Sequence, residues 1–221
     1  MKKLLSLFLV WVLMLASVSA FANDSTVTEE SNAEQLKSYS IMHGDPDGDM
    51  RLSAELTRAE AVTLIVRLYG FEPETSSGIM ANEFSDMENH WALNAAIIAE
   101  NLRLTDTEKG GAFNPDEKIT AQEFLKMLVC LLGYKEVAER NAPYPVGYIM
   151  QASQLGVTNS VPLITDKPVT RGQAAKLICN SLDIPVMMQT SYGENSEYVI
   201  MNGKNGGEFR SIRTELEKRV H

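Results

Sequence analysis

Three stretches of the chain share one pattern of apolar and polar positions. Leu56-Thr57-Arg58-Ala59-Glu60 opens an apolar run to Gly70, Ile119-Thr120-Ala121-Gln122-Glu123 opens one to Gly133, and Val169-Thr170-Arg171-Gly172-Gln173 opens one to Asp183. The three align without a gap. A threonine followed three residues later by Glu or Gln is a helix-start signature, because each side chain can satisfy the other's backbone N–H. The pattern therefore predicts capping boxes at Thr57/Glu60, Thr120/Glu123 and Thr170/Gln173. Leu56, Ile119 and Val169 stand where a hydrophobic staple would reach forward onto Ala61, Phe124 and Ala174. Gly70 and Gly133 stand where a left-handed helix end is wanted. Between these signals the runs are apolar nearly all round, with Val62, Leu64, Ile65, Val66 and Leu68 in the first, which places the helices at the centre of a bundle.

Shorter helices precede the long ones. Ala95, Ile98, Ala99 and Leu102 recur at helical spacing, predicting a helix from near Asn89 to Leu102, followed by a loop with Gly110, Gly111 and Asn114-Pro115. Tyr148 to Leu155 plays the same part before Thr170, with Gly156 as its stop. Before Thr57 only Ala33 to Ser40 is available, then the turn-rich Gly44-Asp45-Pro46-Asp47-Gly48. Units of helix, loop and helix cannot bury their own apolar faces, and three of them can close a common core. The fold expected is all-α, with the long helices side by side about an approximate threefold axis. The division expected is a flexible stretch at 23–32, units at 33–70, 84–133 and 134–185, and a linker or the start of a further module at 186–221.

Lys2 and Lys3 ahead of an apolar run from Leu4 to Ala16, ending in Ala20-Phe21-Ala22, read as a secretory signal peptide over residues 1–22. The run is short for a membrane span of about 20 residues, so the mature chain is not expected to cross a membrane. The formal charge of -9 becomes -11 without those two lysines, which argues against sequence-independent binding to nucleic acid. An anionic ligand would have to be met by local cations. Cys130 and Cys179 fall within the apolar helices and are read as buried, unbridged thiols.

These residues resemble the S-layer homology family, whose repeat runs Phe-x-Asp, Trp-Ala, a short helix, a glycine-containing loop, Phe-x-Pro, then Ile-Thr-Arg-Ala-Glu and a long helix. The middle unit carries Phe84, Asp86, Trp91, Ala92, Phe113, Pro115, Ile119, Thr120 and Glu123, and Thr57 to Glu60 reproduces Thr-Arg-Ala-Glu in full. The resemblance covers about Ala33 to Pro185. It implies a secreted, non-enzymatic protein of the cell wall, with grooves between repeats that bind anionic, often pyruvylated, cell-wall polysaccharide. It also implies Arg58, Arg171, Asp86 and Trp91 as polymer-binding residues. The two arginines are the positions that capping leaves unexplained, since a guanidinium at the first turn of a helix sits beside backbone N–H groups that also favour anions.

The departures are specific. Ala121 stands where arginine is expected, Gln173 replaces glutamate, and the first unit lacks the aromatic opening. A groove at Arg58 is therefore expected complete, one at Arg171 plausible and one at Ala121 impaired. Asp45, Asp47 and Asp49 alternate like a calcium loop, but Met50 and Leu56 occupy the positions of its turn glycine and bidentate glutamate, which favours a plain turn. His43, His90 and His221 show no metal spacing, and no metal site, cofactor fingerprint or catalytic signature is read. The competing readings are an envelope assembly protein whose degenerate repeats bind no glycan, and the anchoring part of a longer surface enzyme.

Overall fold

The structure is a computed structural model that describes residues 29–74, 84–105, 107, 110–191, 196–204 and 207–220. The signal-peptide reading lies outside the described residues. The fold is all-α apart from one small hairpin. A first helix, α1, covers 29–38. It is followed by α2 (Arg58–Tyr69), α3 (Leu93–Asn101), α4 (Ala121–Leu131), α5 (Lys135–Asn141), α6 (Val146–Gln154) and α7 (Arg171–Ser181). The antiparallel strands β1 (Met187–Gln189) and β2 (Tyr198–Ile200) pair Met188 with Val199, and α8 (Ile212–Val220) ends the described chain. No helix among the described residues is long and apolar enough to cross a membrane.

The long helices α2, α4 and α7 begin in the same way. Thr57, Thr120 and Thr170 are extended, each hydroxyl accepts from the N–H three residues on, and Glu60, Glu123 or Gln173 reaches back to the cap N–H. The residues just before the caps tie the three starts together. Leu56 N–H donates to the Val169 carbonyl (2.9 Å), Val169 N–H to Ile119 (3.1 Å), and Ile119 N–H to Leu56 (3.0 Å), which closes a cycle. All three side chains in that cycle are completely buried.

The next two N–H groups of each helix are satisfied in the same order. Arg58 and Ala59 donate to the carbonyls of Glu117 and Pro115, Ala121 and Gln122 to Lys167 and Thr165, and Arg171 and Gly172 to Ala54 and Leu52. A helix leaves its first four N–H groups without intrahelical partners, and here each set is met by its own cap and by the loop leading to another helix. The core lies behind this junction, where Ile65, Phe124, Leu125, Leu128, Leu177 and Ile178 are fully buried. Within it α2 packs on α3 and α4, and α4 packs on α5, α6 and α7.

Several boundaries differ from those expected. Helix α1 starts at 29, inside the stretch read as flexible, and buries Ala33 and Leu36. Helix α3 starts only at Leu93, because Asn89 is in the left-handed region (φ 60°) and the His90 ring nitrogen Nδ1 accepts the Ala92 N–H. Residues 135–141, within the unit expected at 134–185 but assigned no element there, form α5.

The largest difference is the segment beyond Pro185, read as a linker or the start of a further module. It folds back over the C-terminal ends of the three long helices. Met187 N–H donates to Leu132 O at the end of α4, Arg213 N–H to Leu182 O at the end of α7, and the Arg219 guanidinium to Arg67 O and Tyr69 O at the end of α2. These bonds bring donors to carbonyls at helix ends, where intrahelical N–H partners run out. Ile212 and Leu216, one helical turn apart, are buried beneath α8. Gly133 (φ 85°) has no room for a side chain, since a β-carbon there would strike the Met187 carbonyl. Arg213 also holds Asp183 with two bonds (2.6 and 2.9 Å), keeping that carboxyl below its usual pKa.

Cys130 and Cys179 are unbridged and partly, not fully, buried. Burial pushes both thiols up to about 11.

Two predictions follow from this packing. Leu216→Ala removes a buried contact beneath α8 and is expected to cost about 2–5 kcal/mol, measured by urea unfolding. For the thiols, a folded pKa above the unfolded value contributes stability that is complete below the unfolded pKa and is lost as pH rises through the folded one. Stability is therefore expected to fall between about pH 9 and 11. Cys130→Ser and Cys179→Ser should flatten that part of a stability-against-pH curve.

Candidate functional site

The loop carbonyls that close the helix starts also decide what the arginines can do. Because the first N–H groups of α2 and α7 already donate to Glu117, Pro115, Ala54 and Leu52, the helix N-termini offer no free backbone donors to an anion there. The expectation that backbone and guanidinium would act together on a ligand is corrected by this closure. Any anion must be held by side chains.

Arg171 is used within the protein. Its Nε donates to Met50 O (2.9 Å), Nη2 to His43 O (2.9 Å), and Nη1 lies 3.3 Å from Glu60 Oε1. Arg58 is placed in the corresponding way with fewer partners. Its Nη2 is 3.2 Å from Glu123 Oε1 and 3.8 Å from the exposed Glu117 carboxylate. Its Nε is buried with no hydrogen-bond partner. Both arginines thus pair with the capping-box glutamate of another long helix. At the remaining junction, between the starts of α4 and α7, Ala121 and Gln173 replace the arginine and the glutamate, and Gln173 instead donates to Pro162 O (2.7 Å).

Arg58 lines a groove of about 440 Å³ together with Leu104, Phe113, Asn114, Glu123, Lys126 and Tyr144. Lys126 is only 5% exposed, with Nζ 5.5 Å from the Tyr144 ring centre and 5.8 Å from that of Tyr148. A cation over aromatic faces is attracted by their quadrupoles. The groove thus places two cations and one carboxylate beside a ring that is 43% exposed. Sequence reading missed Lys126, although a lysine between Leu125 and Met127 on an apolar helix is the kind of signal that could have found it.

The other two residues expected at the site lie elsewhere. The Asp86 carboxylate accepts from Phe113 N–H and Asn114 N–H, both at 2.7 Å, so it pins the loop that forms one wall of the groove and is not among the lining residues. Trp91 is 65% exposed beside His90 and does not line the groove either. The Asp45–Asp49 segment is a turn closed by its own bonds, from Asp45 N–H to Asp49 O and from Gly48 N–H to Asp45 O. No group of three or more candidate metal ligands occurs among the described residues.

Comparison with known proteins gives this geometry a context. The chain is 25% identical over 172 residues to the middle cell wall protein of Brevibacillus brevis, covering 77% of this chain and 16% of that protein. It is 24% identical over 230 residues to a cell surface protein of Thermoanaerobacter kivui, covering 99% of this chain and 30% of that one. Against exoglucanase XynX of Acetivibrio thermocellus it is 27% identical over 167 residues, covering 68% of this chain and 15% of the relative. The chain therefore spans less than a third of the length of these relatives. Residues 83–125, which contain Asp86, the pinned loop and the α4 capping box, match the S-layer homology domain. Within this chain, residues 83–125 are thus the segment similar to the S-layer homology domain.

Proposed function

We propose that the chain anchors a secreted protein to the bacterial envelope by holding an anionic cell-wall polysaccharide in the groove at Arg58. The S-layer homology domain and the surface-protein relatives indicate a secreted, wall-associated protein and support anchoring at the level of the family. The observation that carries the finer reading is the Arg58 guanidinium, which lines an open groove with its side chain 22% exposed. A carboxylate on the polymer, such as a pyruvate ketal, suits a guanidinium because two of its N–H groups can grip two oxygens in parallel.

The cycle of bonds through Leu56, Ile119 and Val169 supports a pseudo-threefold arrangement of the units. The three starts are unequal as binding sites in this reading. Arg171 is a strut between α7 and the first loop, the Ala121 start has no cation, and Arg58 carries the binding. The role in a longer protein follows the relatives, among them an exoglucanase, and is that of a wall-attachment region and not a catalytic one.

Binding to cell-wall sacculi, before and after chemical removal of their secondary polymer, tests the proposal. The purified chain is expected to bind only the unstripped sacculi; equal binding to both would favour an assembly role without glycan. Arg58→Ala is expected to lose roughly ten- to hundredfold in affinity, the equivalent of one charge-assisted interaction of about 1.5–3 kcal/mol. Arg171→Ala is expected to act on stability instead, costing about 1–3 kcal/mol for acceptors left without a donor, with a small change in binding. Thermal midpoints and sacculus affinities measured on the same preparations separate the two outcomes.

A further inference from the structure

We infer that Glu123 is a positioning residue for the Arg58 groove, using its two carboxylate oxygens for separate tasks. Its Oε2 accepts from Thr120 N–H (2.9 Å) and Thr120 Oγ–H (2.6 Å), completing the cap of α4. Its Oε1 faces Arg58 Nη2 at 3.2 Å. Helix α4 therefore cannot be capped through this residue without also presenting a carboxylate oxygen to the arginine of α2. The guanidinium is held from one side, so its rotamers are fixed before a ligand arrives, and its Nε–H is left without a protein acceptor. Holding a charged side chain in its bound geometry reduces the ordering cost of binding.

The same carboxylate also acts in the opposite sense. A carboxylate lining the groove repels an anion, and if that repulsion outweighs the positioning, removing the charge would tighten binding. The start of α7 shows that capping alone does not need the charge. Gln173 Oε1 accepts Thr170 N–H at 3.0 Å, and Thr170 Oγ accepts Gln173 N–H at 3.2 Å. Across the junction, at the start of α4, Ala121 stands in the arginine position, so the charge is absent where there is no guanidinium to hold.

This inference rests on the proposed function, and its test keeps the two apart. Glu123→Gln retains an oxygen for the Thr120 cap but turns an N–H toward Arg58, donor against donor. Its affinity for polymer-bearing sacculi is expected to fall about tenfold, which corresponds to about 1.4 kcal/mol, with little change in thermal midpoint. Adding Glu123→Gln to Arg58→Ala is expected to cause no further loss, because residues acting through one contact are not additive. Thr120→Ala is the control for the cap, since it should lower the midpoint while leaving affinity within about twofold. Glu123→Gln binding like the parent or more tightly, or losses that add to those of Arg58→Ala, would overturn the positioning role while leaving the groove intact. Arg58→Ala binding like the parent would overturn the function itself and this role with it.

Discussion

The fold depends on one requirement, that the first N–H groups of three apolar helices find acceptors away from water. Each helix start is too buried for solvent to serve, with Leu56, Ile119 and Val169 all completely enclosed. The protein meets the requirement in a closed order. The start of α2 is served by the loop before α4, that of α4 by the loop before α7, and that of α7 by the loop before α2. No unit can satisfy its own helix, so association of the units is built into the hydrogen bonding as well as into the apolar faces. The opposite ends are closed differently, by a single C-terminal segment that reaches all three helices.

That closure changes the meaning of the arginines. A cation at the first turn of a helix is mildly unfavourable, which on its own suggests a ligand. Here each arginine faces the capping glutamate of another helix, so the unfavourable position is offset by a charge across the junction. The structural and ligand roles are not alternatives at Arg58, because one face of a planar guanidinium can hold a glutamate while another edge stays open. Arg171, with carbonyls at two nitrogens and a carboxylate at the third, has no such edge.

The helix starts were legible because capping boxes are local, with every atom of the signal lying within four residues. The all-helical core was legible for a related reason, since apolar residues all round a helix leave it nowhere to go but the middle. What could not be read was set by distant residues. Nothing adjacent to Arg171 reveals that the Met50 and His43 carbonyls await it, nor does the surrounding sequence tie Asp86 to the Phe113 and Asn114 amides. The region beyond Pro185 misled because it is polar and glycine-rich, while its contribution to the core is carried by few residues, chiefly Ile212 and Leu216. Lys126 was hidden by the opposite circumstance, a charge inside an apolar run that fits a helix pattern whether or not it lines a groove.

The cyclic order of the helix starts also has a kinetic consequence. The carbonyls of Leu52 and Ala54 are made early in synthesis, but their donors, Arg171 and Gly172, lie near the far end of the core. The first two junctions join neighbouring segments and can form as the chain lengthens, whereas the third must bring the two ends of the core together. Closing so long a loop carries an entropic cost that grows only slowly with length, but it delays the contact until both ends exist. Ring closure is thus the non-local step in the assembly of this fold, and until it occurs the first loop and the last long helix each hold half of an unmade set of bonds.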